Sequence, residues 1–164
     1  MSHKKNQEEA ARWLTTGQDD LDTARILKKN GKYAHACFHA QQAVEKAVKG
    51  VWYFYDADPW GHSILRLIRD FKEVDADTFT ILNKFAADAQ KLDRLYIPTR
   101  YPNGLPDITP DMAYGEDDSQ FSITAAEKIL NAAETIIKST QDQDEPNKET
   151  KTEQSTQKEA DNDR

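Results

Sequence analysis

The sequence predicts an all-α protein, a five-helix up-and-down bundle, and three observations carry that prediction. Apolar residues recur every three or four positions through several long segments, which is the helical period. No stretch alternates apolar and polar residues as a half-buried strand does. The prolines fall between the periodic segments and not inside them, so the breaks coincide with the places where the period is lost.

The first helix is expected over residues 6–29, where Ala10, Trp13, Leu14, Gly17, Leu21, Ala24 and Leu27 form the periodic set. Asn30-Gly31 ends it, because glycine accepts the left-handed conformation that closes a helix. So short a join makes the first two helices antiparallel neighbours. The second helix, residues 33–55, organises the rest. Cys37, Val44, Val48, Val51 and Tyr55 fall on one stripe, and Ala36, Ala40, Ala43, Ala47 and Gly50 fall on the stripe beside it. Small side chains admit a second helix closely, so the alanine stripe predicts tight helix packing and the valine stripe predicts the core. The remaining face carries His35, His39, Gln42, Glu45, Lys46 and Lys49, with Phe38 and Tyr53 among them. Glu45 and Lys49 read as an ordinary solvated pair at four residues.

Pro59 stops that helix. A short third helix follows Trp60-Gly61, beginning near His62 and Ser63 and burying Ile64, Leu65, Leu67, Ile68 and Phe71. A fourth is expected over residues 78–96, capped by Asp75 or Asp77, with Phe79, Leu82, Phe85, Ala86, Ala89 and Leu92 on its inner stripe. Residues 97–119 have four prolines, two glycines and no period, and form a long Pro-rich loop of the kind that compact domains keep for a purpose. The last helix is expected from Asp117 to about Lys138, with Ile123, Ala126, Ile129, Leu130, Ala133, Ile136 and Ile137 facing inward.

The 164 residues suffice for one domain with a core, but not all of them have core-forming composition. Residues 139–164 hold eight acidic and four basic residues and almost no apolar side chain. Such a segment cannot bury enough surface to offset its ordering entropy, so the reading divides the chain into a bundle domain, 1–138, and a disordered polar tail, 139–164. The net charge of −7 argues against a broad nucleic-acid surface, which needs a basic footprint. One cysteine excludes an intramolecular disulfide. The N-terminal residues lack a signal-peptide apolar core, and no run approaches a membrane span, so a cytoplasmic protein is expected.

The central FHAQQAVEKAVKGVW, the GHSILRL after it and the LDRLYIPTRYPNGLP before the last helix, in this order, resemble the HEPN domain family, named for higher eukaryotes and prokaryotes nucleotide binding. The resemblance spans about residues 10–138. It implies a helical bundle that commonly forms a homodimer, is often encoded beside a small nucleotidyltransferase, and either cleaves RNA or binds a nucleotide. The nuclease branch of that family is similar in carrying an arginine followed, four to six residues later, by a histidine near the start of its final helix. Here the last histidine is His62, so neither Arg94 nor Arg100 has such a partner, and no other arginine meets the spacing. The expectation is a binding module, with enzyme activity left open and the missing motif weighing against it, and with no cofactor and no catalytic residue assigned. The alternatives are a metal-independent ribonuclease toxin with a degenerate site and a purely structural dimerisation subunit.

The candidate ligand site is Arg94, Tyr96, Arg100 and Tyr101, with His62 added through the resemblance. Two guanidiniums and two aromatic faces within eight residues meet the two demands of a nucleotide, a clamp for phosphate and a platform for the base. Phe38 and Tyr53 are the candidate dimer contacts, since aromatic residues on the polar side of a central helix mark an interface. His35 and His39 have the four-residue spacing of a metal pair but no third ligand nearby in sequence, so no metal site is assigned. Cys37, on the core stripe, reads as a small buried hydrophobe.

Overall fold

The computed structural model describes residues 3–144. Its helices are α1 (His3–Lys29), α2 (Tyr33–Phe54), α3 (Ile64–Asp70), α4 (Ala76–Leu82), α5 (Ala86–Asp93), α6 (Pro110–Ala113) and α7 (Glu116–Asp144), with no strand among the described residues. The all-α bundle expected from the periodicity is therefore the observed one. None of its helices is long and apolar enough to cross a membrane, among the described residues.

α2 lies between α1 and α7. Gly31, at φ +72°, turns the chain from α1 into α2, with the Lys32 amide donating to the Leu27 carbonyl at 2.9 Å. The alanine stripe meets α1 at backbone contact. A Cβ on Gly17 would lie 2.9 Å from the Ala43 carbonyl oxygen, and one on Gly50 would lie 3.3 Å from that of Ala10. Ala36, Ala40, Ala43 and Ala47 are fully buried, as are Cys37, Val44, Val48 and Val51. From α7 all seven residues expected inside are buried.

Three segments differ from the sequence reading. The fourth helix is interrupted: α4 and α5 are joined by a tight helical turn, Asn83–Phe85, where Phe85 leaves helical geometry at φ −99°, ψ 8°. Asn83 is a weak helix former, and the interruption still keeps Leu82, Ala89 and Leu92 fully buried. The Pro-rich loop contains one short turn, Pro102–Gly104, and the single-turn α6, capped by the Thr109 hydroxyl accepting from the Met112 amide. α7 runs six residues past the expected end at Lys138. The rest of the expected tail lies outside the described residues.

Two further observations concern α2. Its polar side is only partly solvated: His35 is exposed, but Gln41 is 0%, Glu45 5% and Lys49 9% exposed. Both aromatics read as dimer contacts also have partners within the chain, Tyr53 against the Trp13 ring at 5.2 Å and Phe38 beneath the Arg100 guanidinium at 4.5 Å.

Candidate functional site

Gln41, Glu45 and Lys49 stand four residues apart, one above another on α2. The Glu45 carboxylate is the centre of a buried hydrogen-bond network. It accepts from Lys49 Nζ at 3.0 Å and from His62 Nδ1 at 2.9 Å on one oxygen, and from Gln41 and Gln42 Nε2 at 3.3 and 3.4 Å on the other. A buried charge pair is tolerated when hydrogen bonds fill its remaining capacity, and on the Glu45 carboxylate four donors do so. The His62 side chain is 61% exposed, so the network reaches solvent through the imidazole.

What brings His62 to this position is the connection between α2 and α3. Gly61 adopts φ +94°, a conformation open to glycine at little cost, and Ser63 caps α3 by accepting the Arg66 amide at 3.1 Å. Asp93, at the end of α5, then ties down the same corner. Its carboxylate accepts from the Ser63 hydroxyl at 2.6 Å and from the Ile64 and Leu65 amides at 2.7 and 3.1 Å. Because Asp93 is three residues before Tyr96, this anchor sets the tyrosine beside the histidine. The two rings stack at 5.0 Å with 16° between planes.

Arg100 follows Tyr96 by one helical turn and donates from Nε to the Tyr96 carbonyl at 3.0 Å. Its guanidinium carbon lies 4.5 Å from the Phe38 ring centre, 4.6 Å from that of Tyr96 and 5.2 Å from that of Tyr101. Three aromatic faces hold the cation in place. Among the described residues no carboxylate pairs with it, and its terminal amino groups have no hydrogen-bond acceptor.

Of the five residues expected to form the site, the structure thus gathers His62, Tyr96, Arg100 and Tyr101. Arg94 is exposed, and no hydrogen bond, ion pair or ring contact among the described residues joins its side chain to the cluster. The sequence reading missed Gln41, Asp93 and the burial of Glu45 and Lys49. The four-residue spacing of Gln41, Glu45 and Lys49 was visible, but a charged row is normally a surface row, and only packing from other elements, His62 at Glu45 and the Trp13 ring near Lys49, buries this one.

The other candidates take structural roles. His39 Nδ1 lies 3.0 Å from Asp20 Oδ1, and Lys46 pairs with the same carboxylate, while His35 is exposed. Burial pushes the Asp20 carboxyl up, but the hydrogen bonds and charges of His39 and Lys46 outweigh it and leave its pKa below the ordinary 3.8. Burial pushes the Cys37 thiol up to about 11, so this side chain stays protonated and inert. A groove of about 430 Å³ opens between α1 and α7, lined by Leu14, Leu130 and Ile137 among others. It includes none of the residues of the His62–Arg100 cluster, and its Lys138 is already paired with Glu134 at 2.5 Å.

A long central helix flanked by α1 and α7, with a corner of short helices folded over its polar side, places the chain among helical bundle proteins. The family is more specific. Residues 10–142 match the HEPN domain, and the chain belongs to that family. Among solved structures it is similar to TT1696 from Thermus thermophilus, at 36% identity and a TM-score of 0.68, over 77% of this chain and 96% of that one. It is also similar to ST0689, an archaeal HEPN homologue, at 35% identity and a TM-score of 0.62, over 79% of this chain and 98% of that one. A relative in Methanocaldococcus jannaschii bears the name "Putative toxin MJ1304" and is 25% identical over 132 residues, 77% of this chain and 86% of that protein.

Proposed function

We propose that this HEPN domain is a binding module for a nucleotide or other phosphorylated ligand, working with a separate nucleotidyltransferase. The observation that carries the reading is Arg100. A guanidinium is costly to bury partly without a counter-ion, and this one is fixed by three aromatic rings with its terminal donors unpaired. Phosphate supplies the missing acceptor, and the half-exposed Tyr101 ring offers a face for a base. Calorimetric titration against mono- and triphosphates tests it. Arg100→Lys keeps the charge but not the planar fork, so binding should weaken about ten- to a hundredfold with the fold intact. Equal affinity in wild type and variant, or no heat with any nucleotide, would return Arg100 to a packing role.

A second reading is the ribonuclease toxin. Two observations favour it: the name of the archaeal relative, and a histidine hydrogen-bonded to a buried carboxylate beside an arginine, which is an acid–base arrangement. RNA cleavage by purified protein that disappears in Arg100→Ala would raise this reading above the first. Assembly as a homodimer is part of the proposal, supported by exposed Trp60, Ile97 and Tyr101 around the same corner. Tyr53→Lys is a better probe of the interface than a Phe38 variant, because Phe38 also packs on Arg100. It should yield a folded monomer by sedimentation, whereas monomeric wild type at micromolar concentration would contradict the dimer.

A further inference from the structure

We infer that the site selects a terminal phosphate, a dianionic monoester, over an internal diester, and that His62 takes up a proton when the monoester binds. The inference rests on the nucleotide-site reading above and names the ligand class of that site.

Charge separates the two ligand classes. Around His62, α2 contributes Glu45 and Lys49, whose opposite charges are paired at 3.0 Å, and the neutral amides Gln41 and Gln42. α5 contributes Asp93, whose carboxylate is occupied by Ser63 and the first amides of α3. The segment after α5 contributes Tyr96, whose ring stacks on His62, and Arg100. Asp58, in the connection that carries His62, adds to the rise that burial imposes on the Tyr53 phenol. The carboxylates of Glu45 and Asp93 are already matched, and Arg100 is an unmatched cation. With a neutral imidazole the site offers one positive charge, which suits a diester. With an imidazolium it offers two, which suits a monoester.

Geometry makes the second state usable. Glu45 holds the imidazole through Nδ1, so the mostly exposed ring turns Nε2 outward. A proton on Nε2 makes it a donor toward solvent, while Nδ1 keeps its bond to Glu45. His62 and Arg100 both lie against the Tyr96 ring, which limits their separation to roughly 10 Å. At the edge of that ring one phosphate can accept charge-assisted hydrogen bonds from both. Glu45 is then a positioning residue, acting on the ligand through His62.

The test compares AMP with its 5′-methyl phosphodiester by calorimetry near pH 7.5, where the monoester is dianionic, in buffers of different ionisation enthalpy. AMP should bind about tenfold more tightly than the ester and with uptake of protons, since one added charge-assisted contact is at stake. In His62→Gln the proton uptake should vanish, and the preference for AMP over the ester should vanish with it. Glu45→Gln, which leaves the imidazole without its carboxylate, should reduce the proton uptake without abolishing ester binding. Equal binding of AMP and ester without proton uptake overturns the inference and leaves the nucleotide-site reading standing. Binding of neither ligand overturns both.

Discussion

The two sides of α2 are built on opposite rules. Toward α1, Gly17, Gly50 and the buried alanines bring two backbones into contact, and what matters is that nothing larger stands there. Toward the α2–α3 corner, Gln41, Glu45 and Lys49 are also buried, but what matters is that each buried polar atom has a partner. One side tolerates no added volume; the other tolerates no missing partner. Burial alone therefore does not identify a core, and a buried polar row on a bundle helix points to the surface feature that closes over it.

Glu45→Leu should break the contrast most severely. It leaves the Lys49 ammonium buried without its carboxylate, and breaking a buried pair from one side costs about 3–5 kcal/mol. The thermal midpoint should fall by on the order of 10 °C. Replacing Glu45 and Lys49 together by methionine should recover most of that loss, because no uncompensated charge remains. If the double variant were as unstable as the single one, shape and not charge would govern this side.

Gly17→Ala probes the other side with one methyl group. Its Cβ would meet a backbone carbonyl at 2.9 Å, so α1 has to shift from α2, and overpacking of this kind costs about 1–3 kcal/mol. A thermal or denaturant midpoint equal to wild type would show that the helix pair is not close-packed.

Asp20→Asn has a smaller effect with a clear sign. The folded-state pKa of Asp20 lies below its ordinary 3.8, so its pairing with His39 and Lys46 adds stability that is present above that value. That stability is lost as the pH falls through the lowered folded value. The difference in midpoint between wild type and variant should therefore shrink on acidification, and a constant difference from neutral to acid pH would remove Asp20 from the acid response.

Deleting residues 145–164 should have the least effect. Their only hydrophobic side chain, proline aside, is Ala160, so almost no apolar contact is at stake and the thermal midpoint should not move. A fall of several degrees would mean that this segment contributes to the fold.

Much of this was written locally. The 3.6-residue period placed α1, α2, α3 and α7, since each buries one continuous stripe and a stripe is a one-dimensional pattern. Gly31 as the turn between α1 and α2, a cap of α4 at Asp75 or Asp77 and the close approach along the alanine stripe were equally legible, because each depends on residue size or on neighbours three or four positions away; the structure chooses Asp75. The sequence also named His62, Tyr96, Arg100 and Tyr101 as candidates, the last three from their crowding in one short segment.

Tertiary structure alone decided how those residues meet and what they lack. Asp93 anchors Ser63 across thirty positions of chain, Tyr96 stacks on a histidine from another corner, and Phe38 forms one wall around Arg100. Arg94, nearer in sequence to Tyr96 than Arg100 is, stays outside the cluster. Whether a charged side chain is solvated, paired or left unmatched depends on the atoms that surround it in three dimensions. The order of residues fixes only which of those atoms are nearby along the chain.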